Sequence, residues 1–225
     1  MVKKCRLLPR HKQDRLAFAR AHRRWSRRAW SKVLFTDECR VCLRMVDGRL
    51  RVWRETGERL DEECIQEIEP YGGGSLMVWA GISAEGKTDL LILREGVTAQ
   101  VYIDQVPRPV VVPYAAAVAD WFFLMQDNAR PHTSAITTEI LETEGIETLD
   151  WPAKSPDLNP IEHLWDSMKK KVNKSIKPHT TLEGLRCILI RKWQGIDQGQ
   201  IRGLIQSIRR RILAVQDSDG GHTKY

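Results

Sequence analysis

Two short apolar runs in this chain each end on a carboxylate. Val33-Leu34-Phe35-Thr36 leads to Asp37, and Phe122-Phe123-Leu124-Met125-Gln126 leads to Asp127. Runs of this length, rich in β-branched and aromatic residues, read as buried strands. Both acids are thereby expected at strand ends, against a core. A third acid, Glu162, opens an amphipathic helix in Asn-Pro-Ile-Glu-His-Leu-Trp. Carboxylates in such places are costly unless cations or donors join them, because close like charges resist ionising together. Divalent ions are the natural partner, and metals held by carboxylates are common apparatus for cutting phosphodiester bonds. The pattern implies metal-dependent chemistry on nucleic acid.

Each acid also has a plain structural reading. With Asn159 as N-cap and Pro160 at the first helical position, Glu162 falls third, where it completes a capping box. Asp127 suits a turn cap beside Asn128, and Asp37 suits an ion pair with one of the many arginines. The weight lies in three such sites occurring together.

The charge distribution supports a polyanionic partner. The chain carries a net +7, and residues 1–32 hold twelve Lys or Arg against the single Asp14. A second basic zone runs from Lys169 to Arg211 and includes Lys169-Lys170-Lys171 and Arg209-Arg210-Arg211. Basic zones around an acidic middle suit a protein that holds a polyanion near a metal site; solvated helix faces are the bland alternative. The most apolar stretch, Val110 to Met125, is broken by Pro113 and Asp120, so no membrane span is expected. Five cysteines argue against a disulfide framework. Cys39 and Cys42 form a lone C-x-x-C within an expected strand, facing opposite ways, and read as ordinary thiols.

Along the chain, residues 11–30 read as a helix leading into the core. Val33–Asp37, Arg40–Met45 and Leu50–Trp53 read as strands, the last two joined by an Asp47-Gly48 hairpin turn. Gly57–Glu69 reads as a surface loop, and Gly72-Gly73-Gly74 as a turn into strand Leu76–Ile82. Asp89–Leu93 is expected as strand, Thr98–Ala117 as helix despite its prolines, and Phe122–Gln126 as strand. Thr133–Glu144 follows as a helix closed by Gly145, then strand Ile146–Leu149. Helix signals return at Pro160–Val172, Leu182–Trp193 and Gln200–Val215. The order fits one α/β domain, a mixed sheet flanked by helices, with residues 1–32 as a basic helical extension and 33–225 as the catalytic unit.

Gly81-Ile82-Ser83-Ala84-Glu85-Gly86-Lys87-Thr88 formally matches a phosphate-binding P-loop. Such a loop requires a helix at its Lys-Thr end, whereas Asp89–Leu93 reads as strand, so a hairpin is expected and no nucleotide cofactor. No role is assigned to His132 or His163.

Several strings together resemble the catalytic domain of the Tc/mariner superfamily of transposases: Lys-Val-Leu-Phe-Thr-Asp-Glu at Asp37, Gln-Asp-Asn-Ala-Arg-Pro-His-Thr at Asp127, and Trp-Pro-Ala-Lys-Ser-Pro-Asp-Leu-Asn-Pro-Ile-Glu-His-Leu-Trp at Glu162. Tyr-Gly-Gly-Gly-Ser-Leu-Met-Val-Trp-Ala-Gly-Ile-Ser, Val-Trp-Arg-Glu-Thr-Gly-Glu and the closing Gly-Gly-His-Thr-Lys-Tyr add to the likeness. The resemblance implies an RNase H-like fold and an Asp-Asp-Glu triad of Asp37, Asp127 and Glu162, all three catalytic and metal-binding, with thirty-four residues between the last two as in the Tc-like branch. It further implies two Mg2+ ions, with Mn2+ able to substitute, and transposon-end and target DNA as partners. Cleavage followed by 3′-hydroxyl transfer at a TA dinucleotide, a homodimer on DNA and a nuclear location are implied likewise. The alternative is a catalytically silent DNA-binding or dimerisation module.

Family members carry two helix-turn-helix modules ahead of this domain, for which residues 1–32 are too few. The chain is accordingly expected to bind DNA weakly, with steep salt dependence and little sequence preference. A gel-shift series across salt checks this; tight, salt-insensitive, sequence-specific binding would contradict it.

Overall fold

The computed structural model describes residues 5–43, 73–93, 98–118, 121–177 and 179–225. The expected strand Leu50–Trp53, the Asp47-Gly48 turn and the loop Gly57–Glu69 lie outside the described residues. Five strands form one mixed sheet: β1 (Val33–Cys42), β2 (Ser75–Ile82), β3 (Leu91–Leu93), β4 (Phe123–Met125) and β5 (Glu147–Thr148), in the order β3-β2-β1-β4-β5. β1 pairs antiparallel with β2 and parallel with β4; β2–β3 is antiparallel and β4–β5 parallel. β1 sits centrally because both its faces are apolar. Val33, Phe35, Cys39 and Val41 enter one core, and Leu34 enters the other. The two strands expected at Val33–Asp37 and Arg40–Met45 are thus one, at least to Cys42.

Helices cover both faces. The larger core holds α1 (Pro9–His22), α2 (Arg27–Ser31), α6 (Ile161–Asn173), α7 (Leu182–Gln194), α8 (Gln198–Gln206) and α9 (Ile208–Asp217). The smaller lies under α3 (Ala99–Gln105), α4 (Val112–Val118) and α5 (Ala135–Thr143). Among the described residues no helix is long and apolar enough to cross a membrane.

Three helical expectations change in detail, each for a local reason. Residues 11–30 form two helices, because Ser26 accepts from the Ala29 N–H at 3.1 Å and starts α2 afresh. This segment is also part of the core rather than a lead-in, since Phe18, Ala19 and Trp30 are buried in it. Gln200–Val215 divides at Ser207, whose hydroxyl donates to the Leu204 carbonyl. In Thr98–Ala117 the prolines at 107 and 109 lack an N–H, and Pro107–Val111 becomes a π-helical turn between α3 and α4.

The P-loop look-alike is a hairpin turn, as expected. Ser83 N–H donates to Gly86 O at 2.8 Å and Thr88 N–H to Gly81 O at 2.9 Å. Lys87 donates through Nζ to the carbonyls of Trp193, Gln194 and Ile196 at 3.0, 3.0 and 2.6 Å. It serves as a cationic cap on the C-terminus of α7.

The two ends of the chain meet over the loop preceding α6. Arg15 of α1, buried, grips Asp157 with both guanidinium nitrogens at 2.7 Å and donates to the carbonyls of Gly220 and Gly221, each at 2.9 Å. From α9, Arg211 donates to the Asp157 carbonyl at 2.6 Å, and Thr223 donates to Asp157 Oδ2 at 2.7 Å. Gly220 adopts φ +76°, and a Cβ there would collide with the Lys12 carbonyl, so only glycine permits this closeness. Removing one member of a buried ion pair strands the other charge. Arg15→Ala is therefore expected to lower unfolding stability by about 3–5 kcal/mol, read by urea denaturation; an effect below about 1 kcal/mol would contradict a buried clamp.

Candidate active site

The parallel pairing of β1 and β4 sets the geometry. Phe35 lies opposite Met125, the last paired residues, and Asp37 and Asp127 each stand two residues further on. Both therefore emerge at the carboxyl side of neighbouring parallel strands, where open α/β sheets collect their ligands. Thr36 holds the strands together there, its hydroxyl donating to the Met125 carbonyl at 2.7 Å.

Glu162 arrives from elsewhere in the chain. Asn159 Nδ2 donates to the Thr36 carbonyl at 3.1 Å, while its Oδ1 accepts from the Ile161 N–H at 3.3 Å. One side chain thus takes up the first N–H of α6 and ties the helix to the strand beside Asp37, although the N-cap position falls on Pro160 rather than on the expected Asn159. The helix begins at Ile161, which makes Glu162 its second residue rather than the expected third, with no reciprocal capping bond. One turn on, Trp165 Nε1 donates to Asp37 Oδ2 at 3.1 Å. Positions three apart share a helix face, so the face of α6 that carries Glu162 also carries the Trp165 indole bound to Asp37. Asp37, Asp127 and Glu162 all line one cavity, with Asn128, Lys154 and Ser155, around about 380 Å3.

The electrostatics follow from this crowding. Burial, then the charge of Glu162, pushes the Asp37 carboxyl up to about 8. Burial also raises Glu162, with Lys169 opposing. Asp127 moves the other way, lowered chiefly by its hydrogen bond with His132 and helped by the Ala129 N–H at 2.9 Å. Both contacts fall on Asp127 Oδ1, and among the described residues neither Asp127 Oδ2 nor the Glu162 carboxylate accepts a hydrogen bond. The donor set is all oxygen, mutually repelling and partly unsatisfied, which fits a hard divalent cation. Among the described residues, however, no three His, Cys, Asp or Glu side chains form a closed cation cluster. The carboxylates share a cavity without converging on one point.

Sequence reasoning withheld a role from His132. It is buried, with Nδ1 2.8 Å from Asp127 Oδ1 and Nε2 3.3 Å from Glu38 Oε1. These two carboxylates hold it up to about 10 against the pull of burial, making it a cation that fixes Asp127. The Tyr102 ring packs on it, with centroids 4.5 Å apart. The strand alternation that turns Glu38 away from Asp37 was the available signal, but its partner lies 94 residues on.

A raised native pKa makes the folded state bind more protons than the unfolded state, so stability falls as pH rises through that window. For Asp37 the window runs from 3.8 to about 8. In EDTA, Asp37→Asn is expected to melt higher than wild type at pH 8 and near wild type at pH 4. Identical melting–pH curves for the two proteins would contradict the crowding.

Comparisons with known proteins agree with this architecture. The DDE superfamily endonuclease family matches residues 32–185. The Tc1 transposase of Caenorhabditis elegans is 32% identical over 225 residues, spanning this whole chain and 81% of that protein. The Tcb2 transposase of Caenorhabditis briggsae is 33% identical over 227 residues, again across 81% of its length. Among solved structures, the Mos1 mariner paired end complex with Mn superposes at TM-score 0.79 and 19% identity, over 100% of this chain and 67% of that one. The Mos1 transposase catalytic domain with raltegravir and Mg gives 0.74 and 20%, over 98% and 100%. At that identity these structures speak for the fold, an RNase H-like mixed sheet between helices. The chain belongs to the DDE superfamily endonuclease family and is a transposase catalytic domain of the Tc/mariner type.

Proposed function

We propose that this domain cleaves phosphodiester bonds at transposon ends and transfers the freed 3′-hydroxyl into target DNA, with Asp37, Asp127 and Glu162 holding two Mg2+ ions that Mn2+ can replace. The observation that carries the reading is the shared cavity, lined by acids from two parallel strand ends and a helix start. Divalent ions bound there would activate the attacking oxygen and steady the leaving oxygen. The chain's own part is positioning. Asp37, with Oδ2 oriented by the Trp165 indole, gives up its proton to bind a cation. His132 fixes Asp127 through Oδ1, and among the described residues Oδ2 accepts no hydrogen bond, while the Asn159 bond to Thr36 sets the approach of Glu162. Lys154, held at φ +57° in a loop that Arg15 anchors, brings a cation to the rim for a DNA phosphate. A homodimer bridging two DNA ends, in the nucleus, completes the proposal; the Mos1 paired end and strand transfer complexes among similar folds support, by analogy, the DNA partners.

The open spacing of the three acids is what favours the rival, a silent DNA-binding module. Nicking of supercoiled plasmid in Mn2+ separates the two. Loss of a metal ligand should exceed the ~10–100-fold effect of losing its supporting partner. Asp127→Ala is accordingly expected to lose at least about 100-fold, and His132→Ala about 10–100-fold. Equal nicking by wild type and Asp127→Ala removes Asp127 from the mechanism, and no nicking by wild type favours the rival.

A further inference from the structure

At the end of β1 away from the carboxylates lies a second concavity. α2 leads directly into Val33, the first residue of β1, whereas Asp37 stands four residues along the strand, about 13 Å away at strand rise. The groove encloses about 300 Å3 and is lined by Arg27 and Arg28 of α2, Arg202 of α8 and Arg209 of α9. All four arginines are exposed, and no acid lines the groove. Among the described residues none of their guanidinium groups makes an ion pair or a hydrogen bond. Their arrangement is a product of the fold. Arg202 and Arg209, seven apart across the Ser207 break, flank buried Ile205 on one face, and α2 packs against α8 opposite them.

The two basic zones of the sequence thereby resolve into distinct parts. Within Arg209-Arg210-Arg211, Arg211 is buried on Asp157 and Ser207 while Arg209 faces the groove. Four guanidinium groups without a partner among the described residues, set around one small hollow, repel one another and attract an anion. Their planar forks suit phosphate oxygens, which they can grip in pairs. The groove's tryptophans do not offer a base-stacking platform. Trp25 and Trp30 pack on each other with centroids 4.8 Å apart, and they pack in turn on Phe123 and Phe35. Recognition there is by charge and hydrogen bonding rather than by stacking on exposed bases.

We infer that this groove binds the phosphodiester backbone of duplex DNA, as a contact separate from the acidic cavity. The choice of DNA among polyanions rests on the transposase reading. Each arginine that neutralises a phosphate steepens the salt dependence of binding by about one unit of slope.

The test uses the full chain in EDTA and the fluorescence anisotropy of a labelled duplex of arbitrary sequence across a salt series. Arg202→Gln/Arg209→Gln is expected to bind at least ~10-fold more weakly, with a slope shallower by about 2. Arg27→Gln/Arg28→Gln, on the opposite wall, should do the same. Lys171→Gln/Lys174→Gln, exposed near the far end of α6, removes equal charge and should leave the slope near wild type. Melting temperatures matching wild type establish that the variants are folded, and agreement of the two arginine pairs guards against one of them failing. The inference is overturned if the lysine pair flattens the slope as much as the arginine pairs. Unchanged slopes in both arginine pairs, or a larger loss for a single-stranded oligonucleotide than for duplex, overturn it too. Nicking in Mn2+ is scored separately: groove variants that bind normally while Asp127→Ala fails to nick refute the groove alone, and duplex binding through the groove by a wild type that never nicks refutes the catalytic reading alone.

Discussion

Two hydrogen bonds fasten the start of α6 to β1, and the candidate site depends on them. Asn159 reaches the Thr36 carbonyl and Trp165 reaches the Asp37 carboxylate, from residues 123 and 128 positions away in sequence. Without that docking the sheet would still place Asp37 beside Asp127, since their strands are parallel neighbours with Phe35 opposite Met125. Glu162 would have no reason to join them. The docking buries Asp37 and sets the charge of Glu162 beside it, and burial first, then that charge, pushes its carboxyl up to about 8.

The surroundings keep this crowding of acids tolerable and directed. His132 stands as a buried cation between Glu38 and Asp127, so one of the three acids is already compensated. On the other side, the loop 152–159 is fixed by Arg15 and Arg211, drawn from the first and last helices. The chain termini thus stabilise the loop that brings Lys154 and Asn159 to the cavity. Remote parts of the sequence act on the site through rigid contacts rather than through the reacting groups themselves.

How much of this was legible in the sequence follows from the range of each interaction. The strand ends at Asp37 and Asp127 and the helix start at Glu162 are local patterns, written in apolar runs and a cap, and they were readable. So was the hairpin at Gly81–Thr88, because Asp89–Leu93 does not begin a helix. That all three acids line one cavity is a property of the tertiary structure, which local pattern does not decide. Contacts such as Arg15 with Asp157, 142 residues apart, leave no periodicity to detect. The break at Ser207 was hidden because apolar spacing continues through it. Glu162 stands one position earlier than the pattern suggests because the N-cap falls on Pro160 rather than on Asn159, whose Oδ1 accepts from the Ile161 N–H.

Asp37, Asp127 and Glu162 can act together only if cations sit among them. A crystal of the protein soaked in Mn2+ and measured at the manganese absorption edge locates them directly. Anomalous density is expected within coordinating distance of Asp37, Asp127 and Glu162, with the carboxylates drawn in around it. A well-ordered cavity with no such density at saturating Mn2+, or manganese bound only elsewhere on the molecule, would contradict that expectation.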